Sequence, residues 1–109
     1  FFFFSTHSVG FFIKRSSQLE AGLYDTRYRF SSDYDLFYRI IEKKKMRGIA
    51  TKKDEILGKF RQGGLSSRIK YIDFLRENNK IRINNGQNTL IVYLIFILRL
   101  IRNFKNIFK

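Results

Sequence analysis

Phe30-Ser31-Ser32-Asp33-Tyr34-Asp35-Leu36-Phe37-Tyr38-Arg39 is the stretch around which the rest of the chain is organised. It reads as a helix start with two carboxylates in the first turn. Ser32 has the side chain of a good N-cap, and Asp35 follows three residues later, close to a capping-box position. Leu36, Phe37, Ile40 and Ile41 recur at helical spacing and predict a buried stripe over 33–44. Asp35 and Arg39 are four apart and can pair on the helix surface. Asp33 is left over: it is not needed as the cap, and the helix dipole favours its ionised form. An ionised carboxylate held at a helix start can serve as a general base, although acidic residues in a first turn also occur simply because they stabilise it.

Working outward, 5–14 reads as a strand through Val9, Phe11 and Ile13. Ser16 or Ser17 then caps a short helix over 18–21, and Gly22 ends it. Residues 23–31 form a loop that carries Tyr24, Asp25, Arg27, Tyr28 and Arg29. Beyond the main helix, 47–52 and 55–61 have the composition of two short strands joined by the polar turn Thr51-Lys52-Lys53-Asp54, with Gly58 weakening the second. Gln62-Gly63-Gly64 breaks the pattern. Ser66 or Ser67 then caps a helix with Ile69, Ile72 and Leu75 on one face and Lys70, Asp73 and Glu77 turned away. The polar stretch 78–88 contains the turn signal Asn84-Asn85-Gly86.

Leu90 to Leu98 is an unbroken apolar run, spanning roughly 14–18 Å as a helix with its short continuation. A bilayer core needs about 20 residues, so the run is too short to cross. Past it, Arg99, Arg102, Lys105 and Lys109 fall on one face, with Leu100, Ile101, Phe104, Ile107 and Phe108 on the opposite face. Such a helix lies at a membrane interface, or docks on another part of the protein.

Composition narrows the classes. Net charge is +13 on 109 residues, which calls for an anionic partner or surface. With no Cys, disulfides and thiolate metal sites are excluded, and a lone His argues against a His-based zinc site. The chain opens Phe1-Phe2-Phe3-Phe4 rather than with Met and without the layout of a signal peptide. These four residues read as the tail of a buried strand, and the expectation is a segment of a longer protein, poorly soluble alone.

Four elements in order carry a family resemblance: His7-Ser8-Val9-Gly10-Phe11-Phe12-Ile13-Lys14-Arg15; Gly22-Leu23-Tyr24-Asp25; Ser32-Asp33-Tyr34-Asp35-Leu36 with Arg39; and Gly63-Gly64-Leu65-Ser66-Ser67. Together they resemble the C-terminal, acceptor-side half of family 2 glycosyltransferases. Thr26 stands where that family usually has Glu, and Ser32 where it more often has Glu or Ala. The resemblance implies an α/β fold, the C-terminal portion of a GT-A (Rossmann-like) architecture, followed by C-terminal amphipathic helices. It divides the chain into an acceptor-side part (1–67), a helix with a polar connection (68–88) and a basic hydrophobic helix at the membrane surface (89–109).

The chemistry the resemblance implies is inverting transfer of a sugar from a nucleotide-sugar donor to a saccharide or lipid-linked acceptor in cell-surface polysaccharide synthesis. Asp33 matches the catalytic base of the family. His7, Asp35, Arg61, Gly63, Gly64 and Ser66 are the candidate substrate-binding residues. Gly63, Gly64 and Ser66 can meet a diphosphate or sugar, or form an ordinary turn and cap, and His7 can touch ligand or be structural. A divalent metal, Mg or Mn, is expected in the full-length enzyme with its ligands outside this segment. Asp33-Tyr34-Asp35 has Asp-x-Asp spacing but stands in the wrong place in the order of motifs. The implied location is cytoplasmic, peripheral at the inner face of the cell membrane. Two other classes compete: a membrane-surface protein without catalysis, resting on 90–109, and a basic nucleic-acid-binding module. The second has Tyr and Phe interleaved with Arg but no recognised binding motif, so no nucleic acid is expected.

Overall fold

The computed structural model describes residues 10–107, and every regular element in them is helical. Helix α1 covers Arg15–Ala21, α2 covers Ser32–Tyr38, α3 covers Tyr71–Asn84, α4 covers Thr89–Arg102 and α5 covers Phe104–Ile107. A π-helical turn, Arg39–Lys43, continues α2, and a 3₁₀ turn, Leu65–Arg68, precedes α3.

The α/β expectation is therefore corrected: among the described residues there is no strand and no sheet, which does not fit a GT-A fold. The segments 47–52 and 55–61 are irregular and exposed, with Ile49, Ile56 and Phe60 open to solvent. A strand is stable only when its backbone groups find a neighbour and one face is covered, and an isolated pair is marginal. Gly48, Gly58 and the Lys52-Lys53 turn lower β propensity further, and among the described residues no other segment pairs with them. The described part of 5–14, residues 10–14, contains no strand either. The rest of that segment, with Phe1–Phe4 and His7, lies outside the described residues.

Apolar spacing explains the helices that do form. Leu36, Phe37 and Ile40 turn inward from α2 and its extension. Leu36 packs with Ala21 of α1, and Phe11, Ile13 and Met46 close the cluster. The rings of Phe11 and Phe37 stand 4.4 Å apart between centroids, a tilted aromatic pair. Gly22 ends α1 with φ +90°, a conformation that favours glycine. Neither Ser16 nor Ser17 caps α1; both fall inside it, behind Lys14.

α3 and α4 form an antiparallel hairpin through the turn at 85–88, where Gly86 adopts φ +93°. Asn88 is a true N-cap: its Oδ1 accepts from the N–H groups of Leu90 (2.9 Å) and Ile91 (3.2 Å). Leu75, Ile81 and Val92 are buried where the two helices meet. α3 runs further than its apolar residues alone suggest, because Asn78 and Asn79 are buried within it. At the far end Asn103 donates to the Tyr71 hydroxyl (3.1 Å), tying the end of α4 to the start of α3. None of the described helices is long and apolar enough to cross a membrane.

Candidate functional site

The site is built where the 22–31 loop meets the start of α2. Ser31, not Ser32, occupies the N-cap position; its carbonyl accepts from the Asp35 N–H (3.1 Å), and its buried hydroxyl has no hydrogen-bond partner among the described residues. Ser32 is the first residue of the helix. Asp33 therefore lies in the first turn, half-buried, with Oδ1 accepting from the Tyr34 N–H at 2.8 Å.

Asp35 and Arg39 pair as their i, i+4 spacing predicts, but in the interior rather than on the surface. Arg39 Nε donates to Asp35 Oδ2 at 3.0 Å, and the Asp35 side chain is only 5% exposed. The guanidinium reaches further. Nη1 donates to the Ala21 carbonyl (2.6 Å) and Nη2 to the Leu23 carbonyl (2.7 Å). Arg39 thus ties the end of α1 to α2 through three acceptors, one for each guanidinium nitrogen, a set that the forked guanidinium can reach and a point-charge ammonium cannot reproduce. Gly22 lies between the two bonded carbonyls, and a Cβ placed on it would stand 2.8 Å from Arg39 Nη1. The second oxygen of Asp35 accepts from Asn85 Nδ2 at 2.9 Å, which brings the α3–α4 turn to the same point.

α3 fixes the rest of the loop. Glu77 accepts from the backbone N–H groups of Arg29 and Phe30, the latter at 2.8 Å. Asn84 Nδ2 donates to the Tyr28 hydroxyl at 2.7 Å. Arg82 Nε donates to the Tyr34 hydroxyl at 3.3 Å. Glu77 is therefore turned toward the loop, not away from the packed side as its helical position suggests. Asn85, Glu77 and Asn84 are contributors that local pattern does not reveal: Asn84-Asn85-Gly86 signals a turn, but nothing in its spacing names a partner 50 positions away.

Charge is distributed unevenly around the loop. Arg27 makes two bonds from Nε and one from Nη2 (2.7 Å) to Asp25, and this guanidinium holds the Asp25 carboxyl at about 2. Burial pushes the Tyr38 hydroxyl above its ordinary value. Two open clefts border the loop. One, of about 540 Å³, is lined by Gly22, Asp25, Asp35, Arg39 and Asn85 among others. The other, of about 560 Å³, lies between the loop and α3 and presents Arg27, Arg29, Arg76 and Lys80 beside Asp73 and Glu77. Asp33 lines neither cleft.

The remaining candidates lie elsewhere. Arg61, Gly63 and Gly64 are exposed in the irregular segment before the 3₁₀ turn that contains Ser66, and Gly63 adopts φ +91°. The Ser67 hydroxyl donates to the Gly64 carbonyl (2.7 Å), closing a local turn. No hydrogen bond or ion pair joins Asp33 to Arg61, Gly63 or Gly64. His7 is outside the described residues. Among the described residues no three His, Cys, Asp or Glu side chains converge.

No family model matches the chain, and neither a curated protein nor a solved structure matches it.

Proposed function

We propose that this chain is the acceptor-side segment of an inverting glycosyltransferase, with Asp33 as the catalytic base. The observation that supports this reading is the division of labour between the two carboxylates of α2. Asp35 is consumed by structure, bonded to Arg39 and Asn85 and nearly shut off from water. Asp33, two residues earlier on the same rigid turn, uses one oxygen for the Tyr34 N–H, and among the described residues no hydrogen bond reaches the other. Its carboxylate is the one of the pair that can take up a proton without dismantling the clamp.

In the proposed reaction an acceptor hydroxyl, on a saccharide or a lipid-linked glycan, attacks the anomeric carbon of a nucleotide-bound sugar. The new C–O bond forms as the bond to the diphosphate breaks, and that electron pair leaves with the nucleoside diphosphate. The hydroxyl proton passes to Asp33 Oδ2. A positioned carboxylate in this role is worth about 10²–10⁴ in rate. The donor is bound by residues beyond those described here.

The test is Asp33→Asn in the longest reading frame that contains these residues, assayed by nucleoside diphosphate release from a panel of nucleotide sugars with a lipid-linked glycan acceptor. Transfer falls by about 10²–10⁴-fold with the unfolding midpoint unchanged. Full activity in the variant overturns the assignment.

A further inference from the structure

The outer face of α4 is apolar along its whole length. Leu90, Leu94, Ile97, Leu98 and Ile101 recur at spacings of four, three, one and three, and each is at least half exposed. Val92, on the opposite side, is fully buried against α3. Helix α4 is thus apolar on both sides, and α3 covers one only. This revises the partition expected from the helical pattern. Arg99 does not share an open polar face with Arg102: it is half-buried, with burial and then the neighbouring Arg82 lowering its pKa.

The cations that border the open face come from two helices. Arg76 and Lys80 of α3 line a shallow cleft together with Tyr93 and Phe96 at one edge of the face. Arg102 and Lys105 are exposed at its C-terminal end. After Glu77 the chain contains no Asp or Glu, while Lys80, Arg82, Arg99, Arg102, Lys105 and Lys109 follow. The result is an apolar strip about 21 Å long, from 14 residues at 1.5 Å each, on a helix that itself carries no carboxylate and is edged by Lys80, Arg102 and Lys105, while Arg76 at the same edge pairs with Asp73 at 3.7 Å. That length does not cross a hydrocarbon core of about 30 Å.

From this we infer that the outer face of α4 lies flat in the interface of an anionic bilayer, with its apolar side chains at the acyl boundary and Lys80, Arg102 and Lys105 at the headgroups. The charge decides between occupants. A second copy would bring another +13 chain and the same row of cations against the strip. Anionic lipid supplies both an apolar phase and the opposite charge. The inference is independent of the transferase reading, because α4 carries none of the residues that reading uses.

The experiment is co-sedimentation of the 109-residue chain with phosphatidylcholine vesicles prepared with and without phosphatidylglycerol. Binding is expected to need phosphatidylglycerol and to weaken with salt, and Lys80→Gln or Arg102→Gln each lowers it roughly fivefold. Leu94→Gln with Ile97→Gln lowers it by about tenfold or more, with helix content by circular dichroism unchanged because both side chains are more than half exposed. Since the chain has no Trp, Ile97→Trp adds a direct probe, whose emission shifts to the blue and is quenched by lipids brominated on the acyl chain. Equal binding to both kinds of vesicle, or binding indifferent to the Leu94 and Ile97 changes, overturns the inference. So does a stable dimer that ignores vesicles and is split by those two substitutions, which would make the face a contact between copies.

Discussion

Replacing Gly22 with alanine probes the clamp at its narrowest point. Two costs add. The backbone at Gly22, φ +90° and ψ 162°, lies in a region nearly reserved for glycine, and an L residue there costs about 1–3 kcal/mol. The added Cβ would also stand 2.8 Å from Arg39 Nη1, so the guanidinium must withdraw from the Ala21 carbonyl it now meets at 2.6 Å. Losing a charge-assisted bond of that kind costs about 1.5–3 kcal/mol. The sum, about 2.5–6 kcal/mol, is a large fraction of the roughly 5–15 kcal/mol that holds a domain of this size. Two other glycines give the comparison. Gly86 has φ +93° with nothing within 4 Å of its Cβ position, so Gly86→Ala reports the cost of a positive φ without a steric clash. Gly48 has neither constraint, and Gly48→Ala is expected within about 0.5 kcal/mol of the parent. Urea unfolding of the whole chain, followed by helical circular dichroism, measures all three. The order expected is Gly22→Ala least stable, Gly86→Ala intermediate and Gly48→Ala unchanged. Equal midpoints for Gly22→Ala and Gly86→Ala would refute the steric argument. A Gly22→Ala midpoint equal to that of Gly48→Ala would refute the clamp itself.

Leu36→Ala removes a fully buried side chain from the cluster with Ala21 and Ile40, and is expected to cost about 2–5 kcal/mol in the same assay. Ile49→Ala, at a fully exposed position, leaves the midpoint unmoved. The Asp25 carboxyl should titrate near 2 by NMR, and Arg27→Gln should return it toward 3.8. Because its folded pKa is lowered, the stability this pair contributes is present above the unfolded value and is lost as pH falls through about 2. Arg27 is largely exposed, so added salt weakens the effect.

What could be read from the chain without its fold is local. The start of α2, the end of α1 at Gly22, the turn at 84–86 and the helical run from Leu90 all follow from spacing, because a helix brings residues three and four apart to one face whatever surrounds it. The pairing of Asp35 with Arg39 belongs to the same class. The Asp35–Asn85 bond, the reach of Arg39 to the carbonyls of Ala21 and Leu23, and the turn of Glu77 toward the 29–30 backbone do not, since they join positions 16 to 50 apart that no periodicity connects. Strand-like composition over 47–61 proved insufficient for the opposite reason: a strand is completed only by a neighbour, and among the described residues there is none. For α4, residue types alone indicate a helix apolar over most of its surface. Only the packing of Val92 against α3 decides which side is covered, because a helix apolar all round has no intrinsic inside until another element takes one of its faces.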